Sequence, residues 1–189
     1  MNEYSDEERK LLLRLAHWTI AAELRKEELD TSPPSTHLAE LRGAFTTLHR
    51  CGGLRGCIGY VMPLYPLYRT IADTAAAAAF RDPRFAPVTI VELPELQIEI
   101  SVLSPLAPIE PEEVEVGRHG LIVTLGHARG LLLPQVPLEW GWDREKFLSE
   151  TCRKASLPPD AWKRGARLEA FTAEVFGENQ PSESLANLR

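Results

Sequence analysis

The sequence predicts an α+β fold of mostly antiparallel sheet with packed helices, arranged as a main lobe with a smaller subdomain. Three observations carry this reading. Apolar residues recur at helical spacing in a few long stretches, and several short segments alternate apolar and polar residues around glycine turns. Strands and helices do not alternate strictly, as they would in a parallel α/β fold. The 189 residues contain no internal repeat and no flexible linker, so residues 5–176 read as one domain or two packed lobes.

Ser5 and Glu8 have the spacing of a capping box, in which each side chain satisfies a free amide at a helix start. Leu11, Leu12, Leu15, Ala16, Trp18 and Ala22 follow at three- and four-residue spacing, predicting a helix from about Asp6 to Leu29. Asp30 to Ser35 then form a loop. Ala44 to Arg50 and Leu54 to Val61 read as the strands of one antiparallel hairpin around a glycine turn. Two registers fit. If Gly52-Gly53 is the loop, Cys57 faces Leu48 and His49 points the other way. If Cys51 joins the loop, Thr47, His49, Arg55 and Cys57 share a face. Both loop lengths are common, and a slip of one residue moves every side chain to the opposite face.

Pro66 suits the first turn of a helix, which runs to about Phe80 or Arg81. Its alanines, Ala75 to Ala79, favour helix and allow another backbone to approach closely. Asp82 to Pro87 form a punctuated loop. Leu96, Ile98, Ile100 and Val102 alternate with Gln97, Glu99 and Ser101, the pattern of a half-buried strand. Gly120 to Leu125 and Gly130 to Leu133 read as a strand pair joined through Gly126 to Arg129. Asp143 caps a helix reaching about Ala155, Pro158-Pro159 breaks the chain, and a last strand spans about Arg167 to Phe176. From Gly177 to Arg189 no core-building pattern remains, and a mobile tail is expected.

Hydrophobic residues make up 44% and charged residues 25% of the chain, ordinary values for a globular protein. The net charge of -6 argues against nucleic acid as the main partner, because phosphate binding needs clustered Lys and Arg. The acidic start, Met1 to Glu8, lacks the basic flank and apolar core of a signal peptide, and no apolar run is long enough to span a bilayer. Three cysteines without a Cys-x-x-Cys pair suggest reduced thiols. The expectation is a soluble, cytoplasmic protein.

The chemistry concentrates in Leu54-Arg55-Gly56-Cys57-Ile58-Gly59. Glycines on either side leave the thiol approachable, and the nearby cations Arg50 and Arg55 favour the reactive thiolate. The alternative is a glycine-bulged hairpin whose cysteine is a small buried hydrophobe. His49 and His119 are candidate bases, with His127 a further one; each also reads as an ordinary turn or surface histidine. Asp82 and Arg84 either form a turn-stabilising ion pair or present a guanidinium to an anion. With Arg55, Gly56 and Gly59 they make the candidate ligand-binding set. No metal motif, nucleotide loop or other cofactor signature occurs. Trp140 and Trp142 suit core contacts or a groove wall, and Cys152 suits packing within its helix.

The hexapeptide resembles the signature of the AMMECR domain family, whose prokaryotic members belong to the AmmeMemoRadiSam system. Gly43-Ala44-Phe45-Thr46-Thr47-Leu48 precedes it, as in the family pattern. Asp82-Pro83-Arg84-Phe85, Ile100 to Pro105, Gly117-Arg118-His119-Gly120, Leu132 to Val136 and Gly141-Trp142-Asp143 follow in family order. The resemblance covers about residue 11 to residue 176. It implies a fold and an association with a Memo-like protein and a radical SAM protein, but no reaction. Two classes stay open: an enzyme or enzyme accessory subunit using Cys57 on a small molecule or protein, and a non-catalytic adaptor using the hairpin as a binding surface.

Overall fold

The computed structural model describes residues 3–178. It contains two antiparallel four-stranded sheets, each in a separate compact unit. One unit takes the chain up to Val102 and again from Glu174; the other is Leu103–Ala173. The α+β class follows. Among the described residues no helix is long and apolar enough to cross a membrane.

In the first unit, helix α1 (Asp6–Arg25) begins with the expected capping box. The Glu8 amide donates to Ser5 Oγ at 3.2 Å, and the Ser5 amide donates to Glu8 Oε2 at 3.0 Å. The helix stops four residues before Leu29, the expected end. Lys26 takes a left-handed conformation (φ 57°), and its amide turns back to the Ala22 and Glu23 carbonyls. Leu12, Leu15, Ala16 and Ile20 are buried in a core shared with helix α2 (Leu67–Phe80).

Strands β1 (Ala44–Arg50) and β2 (Gly53–Tyr60) form the expected hairpin. With β3 (Leu96–Leu103) and β8 (Ala173–Gly177) they give the order β2-β1-β3-β8. The turn is neither of the two loops considered. Cys51 and Gly52 both have positive φ (51° and 77°), the geometry of a two-residue hairpin turn that follows strand twist. A bulge then resets the phase. His49 pairs with Leu54 and Leu48 with Gly56, leaving Arg55 as the extra residue. Cys57 therefore stands opposite Thr47.

Gly56 faces α2, and the reason is steric. A Cβ there would lie 2.2 Å from the Ala78 carbonyl oxygen. The alanine run and the glycine are two sides of one close contact. Behind it, Thr46 and Thr74 share a buried hydroxyl–hydroxyl bond of 2.8 Å.

The second unit holds β4 (Ala107–Pro108), β5 (Gly120–Leu125), β6 (Ala128–Leu132) and β7 (Arg167–Phe171), in the order β4-β7-β5-β6. A four-residue helix α3 (Val136–Glu139) precedes α4 (Arg144–Lys154), whose Asp143 cap accepts the Lys146 amide at 2.8 Å. Phe147, Leu148 and Cys152 pack against Leu121, Val123 and Leu168.

One expectation needs correction. The segment from Arg167 to Phe176 is two strands, which join different sheets. Ser104 causes the break at Thr172. Its amide donates to the Thr172 carbonyl at 2.9 Å, and its Oγ accepts the Thr172 amide at 3.0 Å, so that residue leaves the ladder. Of the expected tail, Gly177 ends β8 and the Glu178 carboxylate accepts the Ile98 amide at 2.9 Å. Residues beyond Glu178 lie outside the described part.

The Gly56–Ala78 contact has a measurable consequence. Gly56→Ala is expected to lower stability by about 2–3 kcal/mol, the scale of overpacking a tight core. Gly53→Ala, whose Cβ would meet nothing closer than the Arg50 carbonyl oxygen at 3.7 Å, should stay within about 0.5 kcal/mol of the parent. Urea unfolding of the two variants beside the parent reads the difference.

Candidate functional site

Strand β2 is an edge of its sheet, so every second residue points its amide and carbonyl away from β1. Cys57 is one of these. Its amide donates to Asp82 Oδ2 at 2.9 Å, and its carbonyl accepts from Arg84 Nη2 at 3.2 Å. Asp82 follows α2 directly, and its side chain is 1% exposed. The same carboxylate accepts three more bonds from Arg84: the amide at 3.1 Å, Nε at 3.0 Å and Nη2 at 2.7 Å. These Arg84 bonds, together with the Cys57 amide, outweigh burial and hold the Asp82 carboxyl well below the usual carboxylate range. The Asp82–Arg84 pair is thus a brace on the Cys57 peptide.

The cysteine side chain projects to the other face of the sheet from Gly56. Thr47 Oγ1 donates to Cys57 Sγ at 3.3 Å, and the residue is half-buried. Gly59, the next residue on this face, lies under Phe45; a Cβ at Gly59 would sit 2.2 Å from that ring. Both glycines of the signature thus have a packing reason to be glycine.

Arg55 and Arg50 direct their charge to carboxylates. Arg55 Nε donates to Glu92 Oε1 at 2.8 Å, and Arg50 binds Glu92 at 3.1 Å and Glu95 at 2.6 Å. Glu92 also accepts the Thr89 amide and hydroxyl at 2.8 and 2.9 Å. Its carboxyl drops to about 2, first because of the Arg55 guanidinium and then the Thr89 bonds, against the opposing effect of burial. The Phe85 ring lies 6.0 Å from the Arg55 guanidinium and 5.5 Å from that of Arg84.

His49 shares the Cys57 face. It makes no hydrogen bond to the sulfur and instead lines a cavity of about 310 Å³ with Gln97, Glu99 and Glu178. His119 belongs to the second unit, where its Nδ1 accepts the Glu115 amide at 3.1 Å. The structure therefore brings together Cys57, Thr47, Arg55, Asp82, Arg84, Gly56 and Gly59, with His49 one residue further along the face. It also gathers ligand-type atoms of Glu3, His37 and Glu40 within 4.8 Å of one another. The Arg42 guanidinium already bonds both of those carboxylates, with Glu40 at 2.7 Å.

Sequence reasoning missed Glu92 and the position of Glu99 beside Thr47. The spacing of Thr89 and Glu92 matches a side-chain capping pattern, which was the available signal for the first. Alternation along β3 put Glu99 on the polar face, but its register with Thr47 came only with the fold.

Acid should reveal the Glu92 hub. A carboxyl lowered on folding stabilises the fold above its ordinary value, here 4.5, and that contribution is lost as pH falls through about 2. Urea unfolding from about pH 7 downward should therefore show the parent losing more stability than Glu92→Gln, with the two curves converging toward about pH 2. Parallel curves would remove Glu92 from the network.

Comparison with known proteins places these residues in a family. The AMMECR1 family model matches residues 13–176. Protein TK0174 of Thermococcus kodakarensis is 44% identical over 195 residues, covering 96% of this chain and 95% of the relative. Protein MK0488 of Methanopyrus kandleri is 44% identical over 187 residues, covering 93% and 90%. The crystal structure of the uncharacterized protein PH0010 from Pyrococcus horikoshii aligns with a TM-score of 0.81 at 44% identity, covering 95% of this chain and 96% of that one. With the family model spanning both units and relatives matching nearly end to end, the chain belongs to the AMMECR1 family.

Proposed function

We propose that this protein is a cytoplasmic enzyme, or the accessory subunit of one, that uses the Cys57 thiol as a nucleophile. The motif resemblance suggests its setting, a modification pathway shared with a Memo-like protein and a radical SAM protein. One observation carries the reading. Both backbone groups of Cys57 are tied to the buried Asp82 and its exposed partner Arg84, while its sulfur meets a single hydroxyl on a half-exposed face. A reactive group held by a rigid strand and a braced peptide is what nucleophilic catalysis requires. His49, on the same face, is placed to exchange a proton with a bound substrate rather than with the sulfur directly.

The adaptor reading also has support. The hairpin tip is exposed, including Leu54, and Met62, Leu64 and Tyr65 form an exposed apolar run just beyond β2. Such a run suits a protein partner.

Two measurements separate the readings. In timed iodoacetamide labelling of the folded chain, Cys57 should react at a rate comparable to or above that of exposed Cys51. Cys152 should react only on unfolding, because burial both shields it and pushes its thiol pKa up. A Cys57 that also waits for unfolding would reject the nucleophile. Co-purification with the Memo-like and radical SAM proteins is the second measurement. Loss of binding in Leu54→Asp and Leu64→Asp, with an inert native Cys57, would establish the adaptor.

A further inference from the structure

The charges around Cys57 leave one group unmatched. Three guanidiniums surround the signature strand, and each meets a carboxylate: Arg84 with Asp82, Arg55 with Glu92, and Arg50 with Glu92 and Glu95. Their formal charges are balanced by these three carboxylates, with Arg55 Nη1 left without a hydrogen-bond partner. On the sheet face that bears the sulfur, the register sets Cys57 opposite Thr47, and Thr47 opposite Glu99. Thiol, hydroxyl and carboxylate therefore form one row across three strands. With strands about 4.8 Å apart, Glu99 lies about 10 Å from Cys57.

Among the described residues no donor or cation reaches the Glu99 carboxylate. Glu178, its neighbour in the cavity, has both oxygens in use: one pairs with His17 at 2.8 Å and the other accepts the Ile98 amide. The cavity beside Glu99 and His49 is about 310 Å³ and has no Lys or Arg in its lining. That volume is at the small end of ligand sites. Of its two carboxylates, Glu99 is the one without a hydrogen-bond partner among the described residues.

We propose that the Cys57 site takes a small organic cation of the amine or ammonium type, with Glu99 as its counter-charge. This rests on the reading of Cys57 as the working thiol and names the class of molecule brought to it. The carboxylate receives the charged end in the cavity, and the remainder of the molecule lies along the row toward the sulfur. Glu99 acts here by binding and orienting the ligand, and Thr47 occupies the space between.

Three methanethiosulfonates test the idea: one carrying a trimethylammonium-ethyl group, one a sulfonate-ethyl group and one an uncharged methyl group. In each case the thiolate attacks the sulfenyl sulfur, a disulfide forms and methanesulfinate leaves with the bonding electrons. Rates at Cys57 and Cys51 are read by mass spectrometry on the folded full chain at low salt. At Cys57 the cationic reagent should outpace the anionic one by about tenfold, the scale of one charge acting over about 10 Å in a partly aqueous medium. The ratio should fall to about that of Cys51 in Glu99→Gln. In the parent it should also collapse at high salt, which screens the carboxylate without any substitution.

A Cys57 ratio no greater than that of Cys51, or one unchanged in Glu99→Gln, overturns the cation assignment while leaving the thiol reactive. A Cys57 that reacts with none of the three reagents overturns the nucleophile reading itself.

Discussion

The buried carboxylate of Asp82 is the constraint on which the first unit depends. A carboxylate removed from water is costly unless its oxygens are fully hydrogen-bonded. Here one side chain accepts the Cys57 amide and three donors of Arg84. Arg84 closes the loop by donating to the Cys57 carbonyl. The arrangement joins the end of α2 to the middle of β2 through charge-assisted bonds rather than apolar packing. It also closes an edge strand. The outward backbone groups of Cys57, which would otherwise be open to another chain, are occupied.

The remaining contacts around β2 are arranged about that brace. Gly56 lets the strand lie against the alanine face of α2, and Gly59 lets Phe45 cover the strand on the opposite side. Arg55, set free of the ladder by the bulge, reaches Glu92 ahead of β3 and brings Arg50 to the same carboxylate. A single inserted residue therefore decides two things at once. It creates the partner for Glu92, and it turns the sulfur to the face that carries Thr47 and His49. Arg50 and Arg55, the cations nearest the thiol in sequence, are instead structural, sharing Glu92 while Arg50 also takes Glu95.

The chain passes between its two sheets through Ser104 and Thr172. Each supplies hydrogen-bonding groups to the other, so that Thr172 drops out of both ladders and the strands on either side of it can belong to different sheets. Apolar residues recur from Leu168 to Phe176 with no Gly or Pro among them, which is why the segment reads as one strand in sequence.

What the sequence determined by itself is what short-range physics controls. The capping box at Ser5, the proline at the start of α2, the aspartate cap of α4, the alternation of β3 and the β1–β2 hairpin all depend on residues near one another along the chain. Family membership was also legible, because its motifs are short and ordered. The tertiary structure alone decided the hairpin register, since two turns were equally good and a bulge at Arg55 was a third solution no local rule selected. It alone decided that Asp82 and Arg84 serve the Cys57 backbone, a bond spanning 25 residues, and that Arg50 and Arg55 both pair with Glu92 some 42 and 37 residues away. Charge finds its partner in space, and a sequence shows which charges exist without showing which of them remain unpaired after folding.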